Sequence, residues 1–246
     1  MKKLVGYITA SLPNNNFTVD LALSMKDSGL DILELGMPFS DPIADGGIIE
    51  EANVKALEKG YKLENLFSIS QEIGSKIDTF WMGYSNPFYN KGFEYFLKKS
   101  KDYGIKGFLI PDLSYEESKK NIELFDLYNR SLINFIAPNS TKNRIKTLVS
   151  NAKDFIYLVS YTGITGVNKN QDLSLVIENI KSYTKVPLYI GFGVDEKTAY
   201  EKAKGVDGVI VGSAFVKYLL DDSLSFNEKI SKISKISKNI KDQINS

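Results

Sequence analysis

Short apolar runs alternate along this chain with longer segments in which apolar residues recur every three or four positions. The strand-like runs cover residues 4–9, 32–35, 79–83, 107–110, 132–137, 155–160, 188–191 and 208–211. Most are apolar on successive residues, the pattern of parallel strands covered on both faces. Helix-like segments separate them, at 19–28, 48–59, 93–103, 115–128, 142–151, 173–182, 196–204 and 226–244, with a further one at 63–75. Gly29, Gly60, Gly104 and Gly205 stand just past four of these, where a left-handed residue ends a helix cheaply. In the last segment Ile230, Ile233, Ile236, Ile240 and Ile244 form one stripe, and the interleaved lysines are read as its solvated face. Eight strand–helix units in about 250 residues predict an α/β fold, a (β/α)8 TIM barrel of eight parallel strands. A doubly wound sheet is the alternative, but it usually has fewer strands at this length. No Pro/Ser-rich linker or break in composition divides the chain, so residues 1–246 are read as one domain.

A barrel of this kind carries its site in the loops that follow the C-terminal ends of the strands. Those loops come after Leu35, Gly83, Ile110, Ser160, Gly191 and Val211. The first holds the densest chemistry, Glu34-Leu-Gly-Met-Pro-Phe-Ser-Asp41-Pro-Ile-Ala-Asp45-Gly46. Its prolines and glycines favour a single backbone conformation, so its acids are presented by a stiff loop.

Composition sharpens this. The chain has no histidine and no cysteine, so proton transfer falls to Asp, Glu, Lys, Tyr or water, and a zinc site built on His or Cys is excluded. With 31 basic and 30 acidic residues the net charge is +1, which argues against nucleic acid or a membrane surface held by bulk electrostatics. No apolar stretch approaches a membrane span and the first residues do not form a signal peptide, so a cytoplasmic location is expected.

Several residues then become candidates. Glu34 at the barrel mouth is either a salt-bridging acid or a carboxyl whose pKa is raised by desolvation, able to give and take a proton near neutral pH. Asp41, before Pro42, reads as a turn former, whereas Asp45 either caps the next helix or binds substrate. Tyr157 shares a strand face with Val159, in ordinary barrel packing or in the site. Gly191-Phe-Gly193 and Gly212-Ser213 follow the last two strands, where barrels often bind phosphate through backbone N–H groups; Gly163 and Gly166 follow strand six. These glycines point to phosphate, although tight turns alone also explain them. No P-loop or dinucleotide fingerprint is present, and a metal cluster of Asp112 with Glu34 is disfavoured.

Taken in order, these stretches resemble the α subunit of tryptophan synthase along essentially the whole chain. The segment 33–46 looks like that family's signature. Tyr7-Ile-Thr-Ala10, Asn86-Pro87, Pro111-Asp-Leu113, Ala137-Pro-Asn139, Gly163-Ile-Thr-Gly166, Gly191-Phe-Gly-Val194 and Val211-Gly-Ser-Ala214 support it. The resemblance implies a carbon–carbon lyase of tryptophan biosynthesis that cleaves indole-3-glycerol phosphate to indole and glyceraldehyde 3-phosphate. It implies that Glu34 and Asp45 are catalytic, Glu34 as acid and base and Asp45 as acceptor of the indole N–H. By the same match Thr165 holds Asp45, Tyr157 lies close to Glu34, and Tyr7 lines the indole pocket. Gly166, Gly193, Gly212 and Ser213 hold the phosphate. No metal or cofactor is implied here, since pyridoxal phosphate belongs to the partner β subunit, which receives indole through a tunnel in an α–β–β–α heterotetramer. The loops 39–45 and 163–170 signal to that partner, and residues 88–90 contact it. An exposed apolar patch near Phe39, Ile43 and Phe88 would favour such a complex.

The chain departs from the family at Gly47-Ile-Ile-Glu50, where Pro-Thr-Ile-Gln is more usual, and at Ala10-Ser-Leu-Pro13, where Ala-Gly-Asp-Pro is usual. The helix that family members carry before strand one is missing, which predicts lower stability or compensation by other side chains. Three other readings remain: a catalytically weak barrel that binds and activates the β subunit, a free-standing lyase that releases indole, and a sugar-phosphate epimerase or isomerase. The last commonly uses metal-binding histidine or paired aspartates at other strand ends, and this chain has no histidine.

Overall fold

In the computed structural model, which describes residues 1–160 and 173–246, nine strands form a single parallel sheet. They are β1 (Lys3–Thr9), β2 (Ile32–Gly36), β3 (Asp78–Met82), β4 (Gly107–Leu109), β5 (Ser131–Leu132), β6 (Asn134–Ile136), β7 (Ile156–Val159), β8 (Leu188–Gly191) and β9 (Gly208–Val211). The order across the sheet is β5-β4-β3-β2-β1-β9-β8-β7-β6. Its two edges are consecutive in sequence. Ser131–Leu132 pairs with β4 and Asn134–Ile136 pairs with β7, so the predicted run 132–137 is one stave whose halves bond to opposite neighbours. The closed object is thus a TIM barrel of eight staves, one of them split at Ile133.

The helices on its outside begin with α1 (Asn15–Asp27), α2 (Gly47–Glu58), α3 (Leu63–Ile73), α4 (Ser85–Lys91), α5 (Phe93–Asp102) and α6 (Tyr115–Lys119). They continue with α7 (Ile122–Leu127), α8 (Lys142–Val149), α9 (Ser174–Tyr183), α10 (Ala199–Lys202), α11 (Ser213–Leu219) and α12 (Phe226–Ile244). No helix among the described residues is long and apolar enough to cross a membrane. Two expectations need correction. The segment 115–128 divides into α6 and α7, because Ser118 Oγ donates to the Tyr115 carbonyl and Asn121 Nδ2 to the Glu117 carbonyl, competing with a continuous helix. The stretch after β3, expected as a loop, is α4: Asp112 accepts from both Ser85 N–H (2.8 Å) and Ser85 Oγ (2.7 Å) and fixes the helix start.

Strand alternation decides what enters the barrel. In β2, Leu33 and Leu35 join the apolar layer between sheet and helices, which forces Glu34 inward. The interior itself is filled by Val5, Phe80, Leu109, Ile133, Phe155, Tyr157, Tyr189 and Ile210. At the end where the strands begin, Phe155 stacks on Tyr189 (4.8 Å) and meets Phe80 edge-on (5.3 Å). Gly107 and Gly208 make room for this aromatic plug; a Cβ on them would sit 2.9 Å from Phe80 and 2.7 Å from Tyr189. The same end is tied by Asp31, which accepts Leu4 N–H (2.7 Å) and pairs with Lys3 (3.0 Å) and Lys241 (2.5 Å). Lys241 lies on α12, whose capping box joins Ser225 and Glu228 and whose Ile233, Ile236, Ile240 and Ile244 are buried. The last helix is therefore docked by its apolar stripe and pinned by an ion pair.

Candidate active site

At the opposite end of the barrel a cavity opens, lined by residues from most of the staves. Glu34 is at its floor, 3% exposed, with Oε1 lacking a hydrogen-bond partner. Burial, and then the nearby Asp45 charge, raise its pKa to about 8. At neutral pH this carboxyl is predominantly protonated.

Asp45 sits above it at the foot of α2. Burial raises its pKa to about 6, opposed by hydrogen bonds from Tyr84 and Asn53. Asn53 Nδ2 donates to Oδ2 across 3.5 Å, and the Tyr84 hydroxyl also accepts Ala44 N–H at 3.0 Å, so the loop and its acid share one anchor. Asp45 does not cap α2: the residue there is Gly46, with no side-chain cap. Two carboxyls in one cavity are thus held at different protonation states near pH 7, the arrangement that separates an acid from an anion acceptor.

Tyr7 and Tyr157 flank Glu34 from β1 and β7. Each fits because the next strand has glycine opposite its ring: a Cβ on Gly36 would lie 2.2 Å from the Tyr7 hydroxyl, and one on Gly191 would lie 2.1 Å from that of Tyr157. Burial first, then the Asp45 charge for Tyr7 and the Glu34 charge for Tyr157, drive both phenols well above their usual range. They are neutral walls, not proton donors to bulk water.

Gly193, Gly212 and Ser213 line the far side of the same cavity. Phe192 and Gly193 are consecutive left-handed residues (φ 70° and 66°), a tight turn that bares backbone N–H groups. Gly212 precedes α11, and a Cβ there would meet Ile49 at 3.3 Å and Tyr7 at 3.6 Å. The structure thus brings together Tyr7, Glu34, Asp45, Tyr157, Gly193, Gly212 and Ser213. Thr165 and Gly166, with the rest of the loop 163–170, lie outside the described residues. Asp41 is exposed on the loop surface, as expected of a turn residue, and Asp112 is used by α4. No cluster of three potential metal ligands occurs among the described residues.

Sequence reasoning passed over Tyr84, Asn53, Ile49 and Phe192. Asn53 had a signal, lying in the helix that starts just after Asp45; Tyr84 had none, because its contact with Asp45 bridges different staves. The expected apolar patch also changes. Ile43 is 84% exposed, but Phe39 is half-buried against Tyr84 and Phe88 is fully buried among Phe93, Phe96 and Phe108. Tyr89, next along α4, is the exposed aromatic there.

Fold and site together define a TIM barrel with two buried carboxyl groups in a cavity at the strand C-termini and backbone turns suited to an anion opposite them. The comparisons with known proteins make this specific. The family model for the tryptophan synthase alpha chain matches residues 1–245. The tryptophan synthase alpha chain of Wolinella succinogenes is 53% identical over 247 aligned residues, covering 100% of this chain and 97% of that protein. Among solved structures, the alpha subunit from Campylobacter jejuni superposes with a TM-score of 0.84 at 34% identity, covering 96% of this chain and 95% of that one. An open form of tryptophan synthase from M. tuberculosis gives 0.88 at 26% identity, covering 99% and 92%. This chain belongs to the tryptophan synthase alpha chain family.

Proposed function

We propose that this chain cleaves indole-3-glycerol phosphate to indole and glyceraldehyde 3-phosphate, in a retro-aldol step run by Glu34 and Asp45. The observation that carries the reading is Glu34: a buried carboxyl that lines the cavity, raised to about 8, with one oxygen unpartnered. The reaction needs a proton placed on the indole ring carbon that bears the side chain. It also needs a proton taken from the side-chain hydroxyl as the carbon–carbon bond breaks and the aldehyde forms. A carboxyl titrating near neutral pH does the first as acid and the second as carboxylate. Asp45, largely ionised above about pH 6, accepts the indole N–H and stabilises positive charge on the ring. Tyr7 and Tyr157 wall the indole, Gly193, Gly212 and Ser213 take the phosphate, and the family resemblance assigns Thr165 to Asp45 and Gly166 to the phosphate. The chemistry draws on no metal or cofactor of this chain.

The product indole passes to a β subunit carrying pyridoxal phosphate, in an α–β–β–α assembly docked on the barrel mouth. Ile43 on the loop after β2 and Tyr89 on α4 after β3, both exposed, suit that contact. The test is indole release from indole-3-glycerol phosphate by the purified chain, alone and with an added β subunit, beside Glu34→Gln. Release that rises with the partner and disappears in the variant supports the reading. A folded wild type that forms no indole in either condition overturns it.

A further inference from the structure

Lys202, the last residue of α10, comes up behind the Phe192–Gly193 turn from outside the cavity. Its Nζ donates to Ser160 Oγ (2.8 Å) and to the Phe192 carbonyl (3.0 Å), and Ser160 Oγ donates to the same carbonyl (2.5 Å). The side chain is half-buried, and a Cβ built on Gly193 would stand 3.7 Å from the ammonium. Among the described residues no carboxylate forms an ion pair with it. The nearby Asp195 is occupied locally, accepting from Lys197 N–H, Thr198 N–H and Thr198 Oγ1. Burial accordingly pulls the Lys202 pKa down. Lys241 at the other end of the barrel, also shielded, has Asp31 at 2.5 Å. A half-buried ammonium that has, among the described residues, no direct ion pair and only the Asp195 charge nearby is costly, and an arriving anion would offset that cost.

The turn converts this cation into something the cavity feels. In a trans peptide the C=O and the following N–H point in opposite directions. Anchoring the Phe192 carbonyl on Lys202 and Ser160, behind the turn, aims the Gly193 N–H away from them, on the side where Gly193 lines the cavity. A carbonyl that accepts two hydrogen bonds also polarises the N–H of its own peptide, making it a stronger donor. The positive charge stands immediately behind, across one layer of backbone, where screening is weaker than in bulk water. Glycine is needed at 193 for the left-handed φ, and phenylalanine at 192 shares that conformation without glycine's freedom, so the turn gains from outside anchors.

We propose that Lys202 is a positioning residue and counter-charge for the substrate phosphate. It acts through the Phe192–Gly193 peptide, with Ser160 as the second anchor of the Phe192 carbonyl. This rests on the lyase reading above, which puts the phosphate at Gly193.

The test uses the full chain with its β subunit. KM and kcat for indole-3-glycerol phosphate and inhibition by inorganic phosphate are measured for Lys202→Met, Lys202→Gln and Lys202→Arg. Loss of one charge-assisted contact predicts a rise of about tenfold in KM and in the phosphate inhibition constant for Lys202→Met, with kcat falling less than about threefold. Lys202→Gln, which keeps a donor but no charge, falls between Met and wild type, and Lys202→Arg restores most of the affinity. Rising salt narrows the gap between wild type and Lys202→Met. Should Lys202→Met not fold, the Gln and Arg variants carry the same ordering. Unchanged KM and phosphate inhibition in folded variants, with an active wild type, overturns the proposal alone, as does an equal loss of kcat and KM in Met and Arg. A wild type that neither releases indole nor responds to phosphate overturns the lyase reading and this proposal together.

Discussion

Asp31 and Glu34 are three residues apart on the same stave and have opposite fates. Asp31, just before β2, meets a backbone N–H and two lysines at the closed end of the barrel, and its pKa is lowered by the Lys241, Leu4 and Lys3 hydrogen bonds, which outweigh its desolvation. Glu34, inside β2, meets tyrosines, apolar walls and another acid, and its pKa is raised to about 8. Side-chain type differs by one methylene, so the environment makes the difference. One end of the barrel satisfies its carboxylate and gains stability. The other leaves a carboxyl oxygen unpaired, which costs stability and keeps the group protonated near neutral pH.

The largest effect expected from this contrast is on turnover. Glu34→Gln retains the shape but cannot exchange a proton, and general acid–base catalysis contributes roughly 10²–10⁴-fold. Indole formation is expected to drop by about 10³-fold or more; a loss under tenfold in steady-state assays would remove Glu34 from the chemistry. The same substitution sharpens the stability side. Glu34 binds its proton more tightly folded than unfolded, so its contribution is fully present below the unfolded pKa of about 4.3 and is lost as pH rises through about 8. Between pH 5 and 9 the wild type is expected to lose on the order of 4 kcal/mol from this group. Glu34→Gln is expected to flatten that slope in urea titrations at several pH values. Parallel slopes would show that burial does not set the Glu34 pKa.

Asp31→Asn attacks the other side of the comparison. The sign is reversed: with its folded pKa lowered, Asp31 contributes stability above its unfolded pKa and loses it as pH falls through the folded value. Losing the charge leaves Lys241 shielded and unpaired and weakens three contacts, a cost of about 2–3 kcal/mol at pH 7. Turnover of the remaining folded protein is expected to be unchanged. A normal urea midpoint would mean that α12 is held by its isoleucine stripe alone.

Much of this was legible in the chain. The eight apolar runs and glycine stops predict the barrel, and the 33–46 segment marks Glu34 and Asp45, because strand alternation and loop stiffness are local properties. What escaped depends on contacts between staves. Nothing near Phe135 signals that Ile133 would divide its strand, since the split reflects which neighbour each half meets. Phe88 looks like surface from its loop-like surroundings but is buried by Phe93, Phe96 and Phe108. Tyr84 lies 39 positions from Asp45 and Lys202 lies 42 from Ser160, so neither link has a sequence period to reveal it.

Tyr84→Phe gives the smallest expected effect and the finest test of how the mouth sets its two protonation states. The Tyr84 hydroxyl hydrogen-bonds the ionised form of Asp45 and so holds its pKa below what burial alone would give. Removing it forfeits about 1 kcal/mol for the charged form, which at ~1.4 kcal/mol per pH unit is a shift of roughly 0.5–1. In a plot of kcat/KM against pH, the acidic limb, near 6 in the wild type, is expected to move up by that amount. The alkaline limb, near 8 and set by Glu34, is expected to stay. Movement of both limbs would mean that the two acids titrate as one coupled pair, and that the separation between proton donor and anion acceptor is not built at the Asp45 end by Tyr84.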